Sequence, residues 1–226
     1  MRRMFLALAT LSVASTACAQ QPTPQAKEAK EADPTRTVTA TTTPAGWTVR
    51  LDDKDTTRYK VTDTRFETMG TGLHVTSGPA AIYYKDDVKN LSGVSATFVQ
   101  MEAPRHAEAY GLFFAGRDLG DPAKQTYVYF IVRGDGQYNI SQRAGSEVHR
   151  IVPWTPSDAV ARQDSAGKAR NALSVTVGAD SVRFLANGKQ VQAISRQEIT
   201  NADGVAGLRV NHNLNVHVDG FTVTTR

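Results

Sequence analysis

The run Tyr127-Val-Tyr-Phe-Ile-Val-Arg133 carries the side chains best suited to hold a ligand. Successive side chains of an extended strand point to opposite faces, so Val128, Phe130 and Val132 belong to one face and Tyr127, Tyr129, Ile131 and Arg133 to the other. Past Asp135-Gly136, the next segment places Asn139, Ser141 and Arg143 opposite Tyr138 and Ile140 in the same way. A face that combines Tyr, Arg, Asn and Ser suits sugar recognition: aromatic planes cover the C–H faces of a pyranose, and guanidinium and amide donors bind its hydroxyls. Tyr127, Tyr129, Arg133, Asn139 and Arg143 are therefore the candidate ligand-binding residues. The plainer reading is a solvated sheet face, since Tyr is a common strand former and Arg covers apolar surface with its stem. Trp154, bracketed by Pro153 and Pro156, reads as a loop residue that either stacks on a ligand or closes one end of the core. Trp47 reads as core.

Other chemistry is scarce. The histidines (His74, His106, His149, His212 and His217) form no H-x-x-x-H or H-E-x-x-H pair, so no metal site is expected. There is no G-x-S-x-G, Walker loop or G-x-G-x-x-G, and no thiol other than Cys18. Glu102, Glu108, Glu147 and Glu198 are each isolated, and His106 with Glu108 reads as a polar connection. Asp52, Asp53 and Asp55 form a charge run that reads as a solvated turn.

The elements that must position these residues are strands. From Gly46 onward the dominant hydrophobic period is two. Candidates include Trp47–Leu51, Leu73–Ser77, Ala81–Tyr84, Val94–Met101, Tyr110–Gly116, Tyr127–Arg133, Tyr138–Arg143, Val148–Val152, Leu173–Val177, Val182–Ala186, Val191–Ile194, Gly207–Val210, Asn213–Val218 and Phe221–Thr225. Asp135-Gly136 and Asn187-Gly188 supply the positive φ of tight hairpins. Ser157–Gln163 and Ser195–Asn201 read as short helices capped by their serines. One domain of about 180 residues buries roughly 70% of its unfolded surface. Many short strands joined by tight turns give an all-β architecture of two packed antiparallel sheets.

The order of motifs in the second half carries a resemblance. GLFFAGRD (111–118) is followed by TYVYFIVRGDGQYNISQ (126–142), NALSVTVGADSVRFLANGKQV (171–191), GVAGLRV (204–210) and NVHVDGFTV (215–223). This resembles the concanavalin A-like lectin/glucanase superfamily, and within it the bacterial 3-keto-disaccharide hydrolase-like and laminin-G-like exported domains. The resemblance implies a concanavalin A-like jelly-roll β-sandwich over 46–226. Its motifs are scaffold elements, so they bear on fold more than on activity. Glucanases of the superfamily place carboxylates on one strand as E-x-D-x-E, a spacing absent here. The implied function is non-catalytic carbohydrate binding. The alternative is a glycoside hydrolase or lyase like the 3-keto-disaccharide group, with an acid/base among Glu102, Glu108, Glu147, His149 and Asp118. A protein-interaction module has no positive signal. No cofactor is expected; laminin-G-like relatives add calcium as a possibility for the loop holding Asp118 and Asp121.

The N-terminus reads as an address. Arg2 and Arg3 precede an apolar run from Met4 to Val13 and then small residues, the pattern of a signal peptide over 1–18. Ser15-Thr16-Ala17-Cys18 resembles a bacterial lipobox, with Ser15 where Leu is preferred, whereas Ala17-Cys18-Ala19 reads as an ordinary cleavage site. Residues 19–45 lack aromatic residues and read as a disordered linker. The expected location is the bacterial cell envelope, lipid-anchored at the outer membrane or periplasm, or alternatively secreted. The formal charge of +4 includes Arg2 and Arg3, so residues 21–226 carry +2, with no basic cluster of the kind that tracks phosphates. Nucleic acid is therefore not an expected partner. Cys18→Ser is expected to move the protein from the detergent phase to the aqueous phase in a partitioning assay; unchanged partitioning refutes lipidation.

Overall fold

The computed structural model describes residues 35–52, 58–85, 89–199 and 201–226; the signal segment, Cys18, Asp53 and Asp55 lie outside the described residues. Alternating burial runs through strands such as 91–100, 169–177 and 181–186, which bury one face, whereas 109–116, 127–132 and 205–210 are buried on both. The strands are β1 (Thr48–Leu51), β2 (Thr64–Met69), β3 (Gly72–Ser77), β4 (Ala81–Tyr84), β5 (Leu91–Gln100), β6 (Ala109–Arg117) and β7 (Thr126–Arg133). They continue with β8 (Gln137–Ala144), β9 (Glu147–Pro156), β10 (Ala169–Val177), β11 (Ser181–Ala186), β12 (Lys189–Ser195), β13 (Val205–Val210) and β14 (Asn215–Thr225). They form two seven-stranded antiparallel sheets: β1-β4-β13-β6-β7-β8-β9, here sheet A, and β12-β11-β10-β5-β14-β3-β2, here sheet B.

The core between the sheets is an aromatic seam. Phe130 of sheet A meets Phe184 of sheet B edge-on at 5.4 Å, Phe98 meets Tyr110 at 5.5 Å, and Phe66 meets Tyr83 at 4.8 Å. Two hydrogen bonds cross the same layer: the Tyr138 hydroxyl donates to the Val191 carbonyl (3.0 Å), and Asn171 Nδ2 donates to the Tyr110 hydroxyl (3.1 Å). Burial pushes the Tyr110 hydroxyl up to about 12, keeping it protonated and able to satisfy that amide.

Several elements differ from the sequence reading. Strand β2 was not expected, because Thr64-Arg-Phe-Glu-Thr-Met69 has one large inward residue, Phe66. The two segments expected over Asn213–Val218 and Phe221–Thr225 are one strand, Asn215–Thr225, interrupted by a bulge at Gly220, whose φ is +60°. Residues 157–163 are turn and coil instead of helix, while Ser195 does cap a 3₁₀ turn, Arg196–Glu198. Asn187-Gly188 forms the expected left-handed turn pair (φ +51° and +77°), whereas three residues, 134–136, join β7 to β8. Ordered contacts begin inside the segment read as linker. Thr35 bonds the Tyr59 hydroxyl, Arg36 N–H donates to Asn213 Oδ1 and Arg36 pairs with Glu102, bonds that need no apolar side chain.

Phe184→Ala removes the ring that both Phe114 and Phe130 pack against. The variant is expected to lose about 3–5 kcal/mol in urea unfolding.

Candidate functional site

The face of sheet A turned away from the core is built in rows by the strand registers. Tyr84, Gly207, Phe113, Tyr129 and Ser141 form one row, and Ile82, Arg209, Gly111, Ile131 and Asn139 the next. Its apolar members make a second hydrophobic cluster of Ile82, Ala109, Phe113, Leu119, Tyr127, Tyr129, Ile131 and Val205, with Tyr84 and Trp154 packed against it.

The middle of this face is held by an acid. Asp52 follows edge strand β1, yet its carboxylate meets three strands of the same sheet. Arg209 on β13 donates from Nε (3.1 Å) and Nη2 (2.7 Å) to Oδ2, and Arg143 on β8 donates to Oδ1 (3.2 Å). The Tyr127 hydroxyl on β7 donates a short bond to Oδ1. Strands β1 and β8 are five positions apart, about 24 Å along a flat sheet, so these contacts require the sheet to be cupped toward this face. The Asp52 side chain is fully buried, and the run read as a solvated turn therefore begins with an internal charge. Its partners lie 75, 91 and 157 residues away, beyond any local pattern.

The electrostatics follow from that burial. Desolvation pushes the Asp52 carboxyl upward, but Arg209 and Arg143 outweigh it and hold the group below the usual carboxylate range. Burial and the adjacent carboxylate raise the Tyr127 hydroxyl to about 12, so it stays a donor. The network continues outward. Arg209 Nη1 bonds Asn211 Oδ1, Asn211 Nδ2 donates to Glu108 Oε2 (3.2 Å), and His212 Nδ1 lies 3.0 Å from Glu108 Oε1. Arg209 also lies over the Tyr129 ring at 4.5 Å.

All six residues singled out from the sequence lie on or beside this face, in two groups. Tyr127, Tyr129, Asn139 and Arg143 are buried, and the first two are only 1% and 6% exposed. The ring face expected to stack on a sugar is covered by Arg209 at Tyr129, and the hydroxyl of Tyr127 serves Asp52. Asn139 donates to the Val152 carbonyl and accepts from Ser141. Arg133 and Trp154 keep partial exposure at the rim, with the guanidinium 4.2 Å from the indole centre. Trp154 lies in β9 and not in a loop. This is the last strand of the sheet, and an edge tolerates Pro153 and Pro156 because one row of N–H groups has no strand partner.

The acid/base candidates do not converge. Glu102 pairs with Arg36, Glu147 and His149 are exposed on β9, and Asp118 is exposed in the loop after β6. Glu108 alone meets a histidine. Asp121 accepts from the Ala123 N–H and pairs with Lys124 at 3.4 Å. Among the described residues, no group of three or more His, Cys, Asp or Glu could hold a metal ion. His74 and His217 face each other on sheet B at 6.0 Å, and burial pushes His74 below the usual histidine range.

No family model matches the chain, and no curated protein matches it significantly. Solved structures do. The carbohydrate-binding module CBM66 of Bacillus subtilis is 11% identical with a TM-score of 0.55, covering 82% of this chain and 98% of that one. A glycoside hydrolase family 16 endo-glucanase of Bacteroides ovatus gives 11% and 0.55, covering 79% and 94%. The laminarinase catalytic domain of Thermotoga maritima gives 9% and 0.55, covering 82% and 94%. The fold is a concanavalin A-like jelly roll. At these identities the likeness concerns fold, as the scaffold motifs implied.

Within this jelly roll the Asp52 cluster makes stability depend on pH. A carboxyl held below its unfolded value near 3.9 stabilises the fold above that pH, and the contribution disappears as pH falls through the lower folded value. Asp52→Asn strands two buried guanidinium groups and is expected to lose about 3–5 kcal/mol at neutral pH. The wild-type excess should shrink toward about pH 3, as read by urea unfolding at both pH values.

Proposed function

We propose that this is an exported, lipid-tethered protein of the bacterial cell envelope whose jelly roll binds carbohydrate without transforming it. One observation carries the binding reading: the group at the rim formed by Arg133, Trp154, Asp135 and Gln137. Arg133 donates from Nε (3.2 Å) and Nη2 (2.6 Å) to the two Asp135 oxygens, and Gln137 donates to Asp135 from its backbone N–H (3.2 Å) and Nε2 (3.0 Å). These polar groups lie beside the indole that Arg133 covers, so a half-buried aromatic surface sits next to fixed donors and acceptors. A sugar ring needs that combination: an apolar platform for its C–H face and charged or amide groups for its hydroxyls.

The names of the fold neighbours are consistent with this reading, one being a carbohydrate-binding module and two being glucan-active domains. The dispersal of Glu102, Glu147, His149 and Asp118 favours binding over hydrolysis. The tether rests on Cys18 and the polar segment behind it.

The wild-type protein is expected to bind members of a glycan array. Trp154→Ala should weaken that binding by about tenfold, the loss of one stacking contact, with its melting temperature little changed. An array without hits refutes carbohydrate binding, and equal binding by Trp154→Ala refutes this site. Reducing ends released from a bound glycan would refute the non-catalytic reading and direct attention to Glu108 and His212.

A further inference from the structure

A cavity of about 550 Å³ opens where β4, β6 and β13 end, beyond the buried cluster and apart from the Trp154 rim. Its walls include Tyr84, Leu119 and Val205, with Lys89, Arg117 and Asp118 among its polar residues. The volume is ordinary for a small-molecule site, whose range is roughly 300–1,000 Å³.

The backbone around it is unusual. Five non-glycine residues have positive φ among the described residues, and three flank this cavity: Asn90 (+55°), Ala115 (+57°) and Asp118 (+49°). Two register breaks also meet here, between Phe114 and Arg117 on β6 and between Val205 and Gly207 on β13. Phe114 and Ala115 are neighbours in sequence, yet both enter the inter-sheet core, as a bulge allows. The adjacent backbones approach so closely that a Cβ on Gly204 would meet the Gly116 carbonyl. Left-handed backbone at an alanine is unfavourable, and such positions gather at ligand sites.

Three of the polar groups are uncommitted. The side chains of Lys89 and Asp118 and the hydroxyl of Tyr84 make no hydrogen bond or ion pair among the described residues. Arg117 makes a long bond, 3.4 Å, to the Asp203 carbonyl, while the Asp203 carboxylate caps the Leu91 N–H at 3.1 Å. The cavity thus offers an aromatic surface, two cationic donors and a carboxylate acceptor together. A simple anion would meet Asp118, and a cation would meet Lys89 and Arg117. A neutral polyol can use both signs, because each hydroxyl donates and accepts.

We propose that this cavity is a second saccharide site, for one neutral sugar unit, independent of the Trp154 rim. The test is amide NMR titration with D-glucose, D-galactose and D-fructose separately, with sulfate as an anion control. The amides of residues 116–120, 204 and 205 are expected to shift with at least one sugar, and to do so equally in Trp154→Ala. Gly120, on the cavity wall, has no neighbour within 4 Å of an added Cβ and no left-handed φ, so Gly120→Phe adds a ring at that wall without backbone strain. That variant, and Arg117→Ala, should weaken the response by about tenfold. Amides that stay still with all three sugars, that move with sulfate alone, or that respond undiminished in Gly120→Phe overturn the assignment. Failure at Trp154 leaves this result untouched.

Discussion

A carboxylate with no exposure to water is tolerable only if its charge is met, and the cupped face of sheet A is organised around meeting that of Asp52. Desolvating an ion costs several kcal/mol, and its recovery requires good geometry and further hydrogen bonds. Arg209, Arg143 and Tyr127 supply both, from three different strands. The alternation extends to Glu108 through Asn211, so two guanidinium groups and two carboxylates lie along one line of contacts. Strand β1 contributes four residues at the sheet margin, and the Asp52 contacts tie its end to the middle of the layer. Such a cluster fixes one arrangement more than it adds net stability, because an apolar replacement of the whole set would avoid the desolvation.

This constraint decides where a ligand can be met. Residues at the centre of the face are engaged with one another, so Tyr127 and Tyr129 act as scaffold. The polar–aromatic groups that keep exposure lie to either side: Arg133 and Trp154 near the β7–β8 turn, and Tyr84 with Lys89 and Arg117 where β6 bulges. Arg133, Trp154, Tyr84 and Arg117 stand on strands, which keeps these side chains positioned before a ligand arrives, while Lys89 lies in the connection between β4 and β5.

Local alternation made most of the fold legible. Val128, Phe130 and Val132 face the core and Tyr127, Tyr129 and Ile131 face away, as spacing alone required. The misses have specific causes. Strand β2 carries one large inward side chain and so lacked a periodic signal. Trp154 reads as loop because prolines bracket it, although a sheet edge admits them. The role of Asp52 was invisible because its partners are distant in sequence and its neighbours are polar. The φ value of Ala115 has no local signature at all, since alanine does not favour that conformation. That backbone, invisible to local pattern, is why the sequence does not mark the cavity.

The order of the strands bears on biogenesis. Strand β14, the last, lies between β5 and β3, and β13 lies between β4 and β6. Until residues 205–225 leave the ribosome, each layer is two separate fragments with open edges, and neither can close. Closure of both layers is thereby deferred until these two late strands are made, and the chain before them stays loose enough to thread through a narrow channel.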